Sequence, residues 1–368
     1  MRFLRILLIL LIMAALAGGI AWRLRRSAPA SPELATPRLA LAELANHGGL
    51  RGKMLYFTPT AADYLQAHWK ELGLRCDPVV SPEQLAREFS PSIQNPKAWR
   101  VLDRKWRFDA LLLSGDPATF RQLLDHLRQS PDWTLTWLDP TSLVFERTPA
   151  RVWTAAELER SMAAFKLHSP REQEEARIQT AHRLIAIGEV ASAKALLEEV
   201  VKANPDSAPA WTELAGCHAT EAKWDRALEA ANRAEACDRH YLPGVVAKAN
   251  ILYASKKFNE ALELTRRLVV ELPEDGQLLS LHARVTHSAH AYKEEIEVLN
   301  KVIELSEAKA MPTGSWRVFL GQAYAADAQN EAALKQFEEA LKDPEISDGE
   351  RAFARKAVER LRGRQPIL

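Results

Sequence analysis

The spacing of apolar and polar positions divides the chain into three regimes. From Ile6 to Trp22 the sequence reads ILLILLIMAALAGGIAW without a charge, and a helix of that length spans roughly 26 Å at ~1.5 Å per residue, near the lower limit for crossing a bilayer. Between Gly49 and Arg151 short apolar runs alternate with amphipathic stretches, the pattern of strands and helices in one layered domain. Met54–Phe57 predicts a strand, Ala61–Leu72 a helix, Leu74–Val80 a second strand, and Ser81-Pro82-Glu83 the start of a second helix. Asp109–Leu113 reads as a buried strand and Asp116-Pro117 as the start of a helix running through Leu127. Trp133–Leu138 and Leu143–Glu146 form a hairpin across Asp139-Pro140-Thr141-Ser142. The predicted order is β-α-β-α-β-α-β-β.

In the C-terminal half small residues return at a fixed interval. Ala181, Ala215, Ala249 and Ala283 follow one another at 34 residues, and Gly321 continues the series at 38, as though four residues were inserted before the last unit. Ala193, Ala227 and Ala261 also step by 34, with Ala333 a further 72 on, and Pro205 and Pro273 are 68 apart. Two antiparallel helices approach closely only where a small residue sits at the crossing, and proline ends the second helix. The fourth unit departs from the pattern, with Glu295 where its second small residue is expected. Ser347–Arg362 carries Phe353, Ala357 and Leu361 at helical spacing among many charges, as a capping helix would.

Trp211, Leu214 and Ala215, then Leu320-Gly321, Tyr324, Ala333, Phe337 and Ala340, complete a pattern that resembles the tetratricopeptide repeat (TPR) family. The resemblance covers roughly Glu174 to Glu345, in units starting near Glu174, Ala208, Leu242, Gly276 and Gly314. It implies a right-handed superhelix whose first helices line a concave groove for a protein or peptide ligand. Carried onto this chain, the family's groove positions are His182, Asn250, Tyr253, Arg284, His287 and Gln322. The lysine and asparagine pattern with which chaperone-binding members clamp a C-terminal carboxylate is not reproduced.

A second resemblance rests on Phe108-Asp109-Ala-Leu-Leu-Leu, a helix, Trp133-x-Leu-x-Trp137, Asp139, and Ser142-Leu-Val-Phe145-x-Arg147. These features look like the soluble extracytoplasmic domain that ends many polytopic bacterial glycosyltransferases of the dolichyl-phosphate-mannose mannosyltransferase type. The multi-span region that carries the acidic catalytic residues of such enzymes has no counterpart here, so no transferase activity is carried over. A sugar or lipid-linked sugar is the ligand this likeness implies for the α/β domain. If two of Trp99, Trp106, Trp133 and Trp137 are exposed in one cleft, sugar stacking is favoured; if buried, they are core.

Composition narrows the function further. Lys plus Arg number 49 against 48 Asp plus Glu, which leaves no excess positive charge to release counterions from a nucleic acid. Cys76, Cys217 and Cys237 form no Cys-x-x-Cys pair, and of His282, His287 and His290 only the last two have the i,i+3 spacing of a helical metal pair. No metal, cofactor or catalytic residues are expected: the α/β domain has no Gly-x-Ser-x-Gly elbow and no phosphate-cradling glycine loop. Arg2 and Arg5 precede the apolar run and Arg23, Arg25 and Arg26 follow it, so the charge flanks balance. An uncleaved anchor is favoured over a signal peptide cut after Ala15-Leu16-Ala17 or Ala28-Pro29-Ala30, because the first site lies inside apolar sequence and the second follows three arginines.

The expected fold is an α-helical TPR solenoid of about five helix-turn-helix repeats, preceded by a small α/β domain and one N-terminal transmembrane helix. The expected organisation is an anchor at 1–26, a Pro/Ala-rich linker at 27–48, the α/β domain at 49–150, a connecting helix at 151–173, repeats at 174–345 and a capping helix and tail at 346–368. The expected role is a membrane-tethered protein-interaction scaffold in bacterial cell-envelope or glycan assembly. It would sit in the inner membrane, single-pass, with its soluble part in the periplasm. The competing expectation is a non-catalytic relative of a membrane glycosyltransferase that binds a sugar through the α/β domain.

Overall fold

The computed structural model describes residues 34, 37–46, 52–57, 76–78, 89–93, 95–147, 152–308 and 311–363. The apolar run 6–22, the helix expected at 61–72 and the helix start at Ser81 lie outside them. Among the described residues no helix is long and apolar enough to cross a membrane. The chain divides into two compact units, Met1–Pro205 and Asp206–Leu368.

The first unit is built on a five-stranded sheet in the order β2-β1-β3-β5-β4, with β1 Gly52–Phe57, β2 Cys76–Pro78, β3 Ala110–Ser114, β4 Thr134–Leu138 and β5 Ser142–Glu146. β1 runs parallel to β2 and to β3, whereas β5 is antiparallel to both β3 and β4. All five residues of β3 are buried, which is why this central strand is written as an unbroken apolar run. Helix α1 (Arg38–Asn46) packs against β5, and its Ala40 and Leu41 are fully buried. The segment expected as a Pro/Ala-rich linker therefore contains a docked helix, its apolar residues outweighing the neighbouring prolines. After the short helix α2 (Ser90–Ile93), α3 (Pro96–Trp106) begins at Asn95, whose side chain accepts from the Lys97 and Ala98 amides, and ends at Arg107 in the left-handed region. α4 (Arg121–Gln129) follows a 3-10 turn at Pro117–Phe120 that Asp116 caps through the Ala118 amide. α3 carries Arg100, Arg104 and Lys105 on its polar face, and its apolar face, Trp99 and Leu102, is buried against residues outside the helix.

Phe108 holds this layer together: its ring lies 5.8 Å from Phe89, 6.1 Å from Trp99 and 6.4 Å from Trp106. Trp99, Trp133 and Trp137 are buried and Trp106 is half-buried. The condition for sugar stacking, two tryptophans exposed in one cleft, is thus not met, and the tryptophans belong to the core. In the β4–β5 turn the fully buried Asp139 accepts from Trp137 Nε1 at 2.7 Å, from the Thr141 and Ser142 amides at 2.7 and 2.9 Å, and from both hydroxyls.

Residues 151–173 form no single connecting helix; a 3-10 turn at Ala155–Glu157 leads into α5 (Leu158–Ala163). The first repeat hairpin, α6 (Pro170–Ala186) and α7 (Val190–Ala203), belongs to this unit. α6 starts four residues before Glu174, because Ser169 and Glu172 make a reciprocal capping box with Pro170 in the first turn. Arg183 of α6 is buried and donates to the carbonyls of Gly115 (3.0 Å), Thr141 (2.8 Å) and Gln179 (3.1 Å). Burial lowers its pKa to about 10, opposed by the nearby carboxylates of Asp139 and Asp116. The repeat hairpin is in this way pinned to the loops at one end of β3 and β5.

The second unit contains four further hairpins: α8 (Ala208–Thr220) with α9 (Trp224–Cys237), α10 (Leu242–Ala254) with α11 (Phe258–Glu271), α12 (Gly276–Ser288) with α13 (Tyr292–Ala308), and α14 (Gly314–Ala326) with α15 (Asn330–Ala340). α16 (Asp348–Arg362), capped by Ser347, packs on α15. The first helices start at the four positions that the period predicts. Ala215, Ala227, Ala249, Ala261 and Ala333 are fully buried, and a Cβ added at Gly321 would lie 2.8 Å from the Phe337 ring. Three of the four inserted residues lengthen α13, which has 17 residues where α9 and α11 have 14, and the fourth lies in the connection to α14. Cys217 is buried and Cys237 half-buried, and neither is in a disulfide.

A further series emerges at the turn inside each hairpin. Gly188, Ala222, Lys256, His290 and Ala328 all have positive φ, from 55° to 83°, and the amide that follows each one donates to a carbonyl five residues back, as in Lys257 N to Leu252 O at 2.8 Å. Only the first is glycine, so the other four residues hold a conformation that a Cβ disfavours by about 1–2 kcal/mol. Replacing Lys256 or Ala328 by Gly is expected to raise the thermal midpoint of the second unit, with a net gain of about 0.5–1 kcal/mol each after the added unfolded-state entropy; calorimetry on the single variants checks this. Arg183→Leu is expected to destabilise the first unit by about 1–3 kcal/mol, since it strands the Gly115 and Thr141 carbonyls. Urea unfolding followed by the fluorescence of Trp133 and Trp137 measures the loss.

Candidate protein-binding face

Within the second unit the first helix of each hairpin packs on the next, α8 on α10 and α10 on α12. Between α10 and α12 lies a cleft of about 390 Å³. Its floor is apolar, with Leu278 and Leu281 buried and Val246 half-buried. Its rim is polar: Asn250 from α10, the capping Asp275, and Gln277 and Arg284 from α12, with Asp275 engaged by the Leu278 amide at 2.9 Å. Asn250 is exposed and its Nδ2 donates to the Val246 carbonyl at 3.0 Å. The Arg284 guanidinium lies 5.4 Å from the centre of the Tyr253 ring, which packs in turn on Phe258 at 5.7 Å. Arg284 is exposed and pairs with no carboxylate among the described residues, so its charge faces solvent over an aromatic support.

The structure thus brings together three of the six predicted groove residues, Asn250, Tyr253 and Arg284. Gln322 is half-buried on α14. His182 lies in the first unit, its Nε2 3.5 Å from Asp116 Oδ1. His287 is exposed and its Nδ1 stands 3.1 Å from both oxygens of Glu295, a carboxylate that is itself buried. That contact raises the His287 pKa above its ordinary value, against the opposing effect of partial desolvation. Glu295 therefore occupies the small-residue position of α13 because a histidine on α12 meets it.

Two further histidines of this unit, His282 and His290, are also engaged. Buried His282 has Nδ1 2.8 Å from Thr265 Oγ1 and Nε2 3.1 Å from Glu294, and burial holds its pKa down while Glu294 pulls it up. Glu294 is gripped by Arg266 at 2.7 to 3.1 Å, which holds its carboxyl below the usual range. His290 contacts the Tyr292 hydroxyl at 2.6 Å. Sequence reasoning did not foresee the apolar floor of the cleft or Gln277, although Gln277 lies about two helical turns before Arg284 on the same face and could have been found from that spacing.

Comparison with known proteins places a tetratricopeptide repeat model on residues 178–241. No curated protein matches the chain. Among solved structures the chain is similar to YrrB, described as a TPR protein with an unusual peptide-binding site, at 15% identity and a TM-score of 0.43 over 49% of this chain and 91% of that one. It is also similar to MamA from Desulfovibrio magneticus RS-1, at 15% identity and a TM-score of 0.41 over 46% of this chain and 93% of that one. TTC0263, a thermophilic TPR protein in Thermus thermophilus, gives 20% identity and a TM-score of 0.37 over 50% and 99%. The matched stretch runs from α6 through α9, the first two helical hairpins.

The raised pKa of His287 has a definite sign. Its stabilising contact with Glu295 is fully present below the ordinary histidine value of 6.5 and fades as pH rises through the raised one. In a proton NMR titration the His287 imidazole is expected to titrate above 6.5, and Glu295→Gln, which keeps the size but removes the charge, is expected to return it toward that value. An unchanged midpoint in the variant would show that the pair does not form.

Proposed function

We propose that this protein is an interaction scaffold whose repeat hairpins bind a segment of another protein at the face between α10 and α12. The observation that carries this reading is the combination of an apolar floor with an unpaired arginine at its rim. A chain segment that buries one apolar side chain over Val246 and Leu281 and sets an acidic group against Arg284 satisfies both. Arg284 is already ordered over the Tyr253 ring, so less side-chain freedom is lost on binding than for a free arginine. Asn250 and Gln277 supply amide donors and acceptors for a peptide backbone.

The wider role extends that reading. The run 6–22 serves as a membrane anchor, and the scaffold works in bacterial cell-envelope or glycan assembly, single-pass in the inner membrane with its soluble part in the periplasm. What supports this is the length and purity of the apolar run together with the likeness of the α/β segment to an extracytoplasmic domain. The reading assigns the protein no catalytic step.

Tyr253→Ala with Arg284→Ala is expected to reduce capture of acidic-apolar peptides from a display library by about tenfold or more, because hydrogen bonds to a charged group contribute about 1.5–3 kcal/mol. Far-ultraviolet circular dichroism is expected to be unchanged, since both side chains lie outside the buried small-residue contacts. Peptide enrichment as strong as that of the parent protein would remove the assignment.

A further inference from the structure

The chain is close to neutral as a whole, yet its charge is segregated at one place in the first unit. α3 and its capping residue carry Arg100, Arg104 and Arg107 at spacings of four and three, which sets them along ~10 Å of one helix edge. All three are exposed and line one cleft of about 1040 Å³. None of them pairs with a carboxylate among the described residues. The neighbouring Asp103 does not neutralise them, because both of its oxygens are held by Arg147 at 2.6 and 2.7 Å. Arg147 is itself fixed, its guanidinium 4.5 Å from the centre of the Trp133 ring and its Nε donating to the Phe108 carbonyl at 2.9 Å. Arg147 also stands 3.8 Å from Asp132, and Asp109 lines the cleft beside them, so the carboxylates gather at the Arg147 wall and the α3 edge keeps its three arginines.

Cations near the end of a helix complement its dipole, which accounts for Arg104 and Arg107. Arg100 lies outside the last turn and receives no such support. It faces His126 of α4 across the cleft, and burial, together with the field of Arg100, holds that imidazole below the ordinary histidine pKa, while Asp103 opposes them. Three unpaired guanidinium groups directed at one opening repel one another until an anion joins them. Arginine suits phosphoryl oxygens because its planar fork donates two parallel hydrogen bonds. One phosphoryl group carries a charge of about −1.5 to −2, less than that of the three guanidinium groups, whereas two linked phosphates carry enough to balance them.

We propose that the cleft between α3 and α4 binds a diphosphate-bearing anion through Arg100, Arg104 and Arg107. This site is separate from the peptide face of the second unit and does not depend on it. The fixed Arg147–Asp103 pair orders the back wall, and His126 lines the opposite side as a resident reporter of the charge that enters.

The test uses the full chain with pyrophosphate as probe. The His126 resonances, assigned with His126→Gln, are expected to shift saturably, and calorimetry is expected to give a single site. Arg100→Gln with Arg104→Gln is expected to weaken binding at least about tenfold, whereas Arg121→Gln, on α4 outside the cleft, leaves it unchanged; both variants keep the parent's melting temperature because the residues are exposed. Vesicles containing diacylglycerol pyrophosphate, whose headgroup is a diphosphate, separate the sources of the ligand. A soluble ligand is assigned if pyrophosphate binds and vesicles do not; a lipid headgroup is assigned if vesicles bind and pyrophosphate displaces them. Absence of a saturable shift at His126, binding by the double variant as tight as the parent's, or vesicle binding that pyrophosphate leaves untouched overturns the proposal.

Discussion

Close approach of paired helices at a small residue is the constraint on which the repeat half of this protein depends. Where Ala215, Ala249 and Gly321 sit in the first helix, the second helix meets them with Ala227, Ala261 and Ala333, all but free of solvent. Gly321 shows how little room is left, since even a methyl group there would press on the Phe337 ring. Once the crossing is fixed, the geometry of the connecting turn follows, and a left-handed residue appears seven positions after each small one. Ala222, Lys256, His290 and Ala328 adopt it against their own preference, so the hairpin geometry prevails over local propensity at four turns. The same interval therefore governs both the buried contacts and the strained backbone positions.

Two charged residues occupy register positions that the other hairpins fill with apolar or small side chains, and both have structural consequences. Arg183 stands where Cys217, Ile251, Val285 and Ala323 are buried in the later units. Its guanidinium turns instead to the Gly115 and Thr141 carbonyls, so the first hairpin joins the sheet domain as one compact unit. Glu295 stands where alanine is found in the other second helices, and His287 meets it. A buried charge is tolerated only with a hydrogen-bonded partner. Each break in the repeat register thus marks a place where a hairpin has acquired a contact its siblings lack.

Residues whose role depends on the period were legible in the sequence, and residues whose role depends on distant partners were not. The starts of α8, α10, α12 and α14 follow from small residues alone, as does the extra length before the last unit. The β4–β5 hairpin was equally plain, because Asp139 serves its own turn within three residues. α3 escaped notice since its apolar face, Trp99 and Leu102, is completed by Phe108 and Trp133 from elsewhere in the chain. The linker reading of 27–48 failed for the same reason: Ala40 and Leu41 gain their burial from the first unit, which no local pattern records. Of the candidate groove residues, Asn250 and Arg284 share one cleft because they are a single period apart on adjacent first helices. Tyr253 joins them through a cation-ring contact that sequence spacing does not encode.

Electrical neutrality of the whole chain conceals this local order. With 49 basic and 48 acidic side chains, an average surface would mix the two signs and pair most of them. The second unit does so at Arg266, Glu263 and Glu294, and at Arg317 and Glu307. Arg284 and the three arginines of the α3 edge depart from that average, in different units and against different backgrounds. Arg284 rests on an aromatic ring beside an apolar floor, a setting for one acidic group on a chain that also buries hydrocarbon. The arginines of the α3 edge stand together around a wide opening lined mostly by charged and polar side chains, a setting for a compact and multiply charged anion. The same side chain therefore argues for two ligand chemistries, and its surroundings decide which.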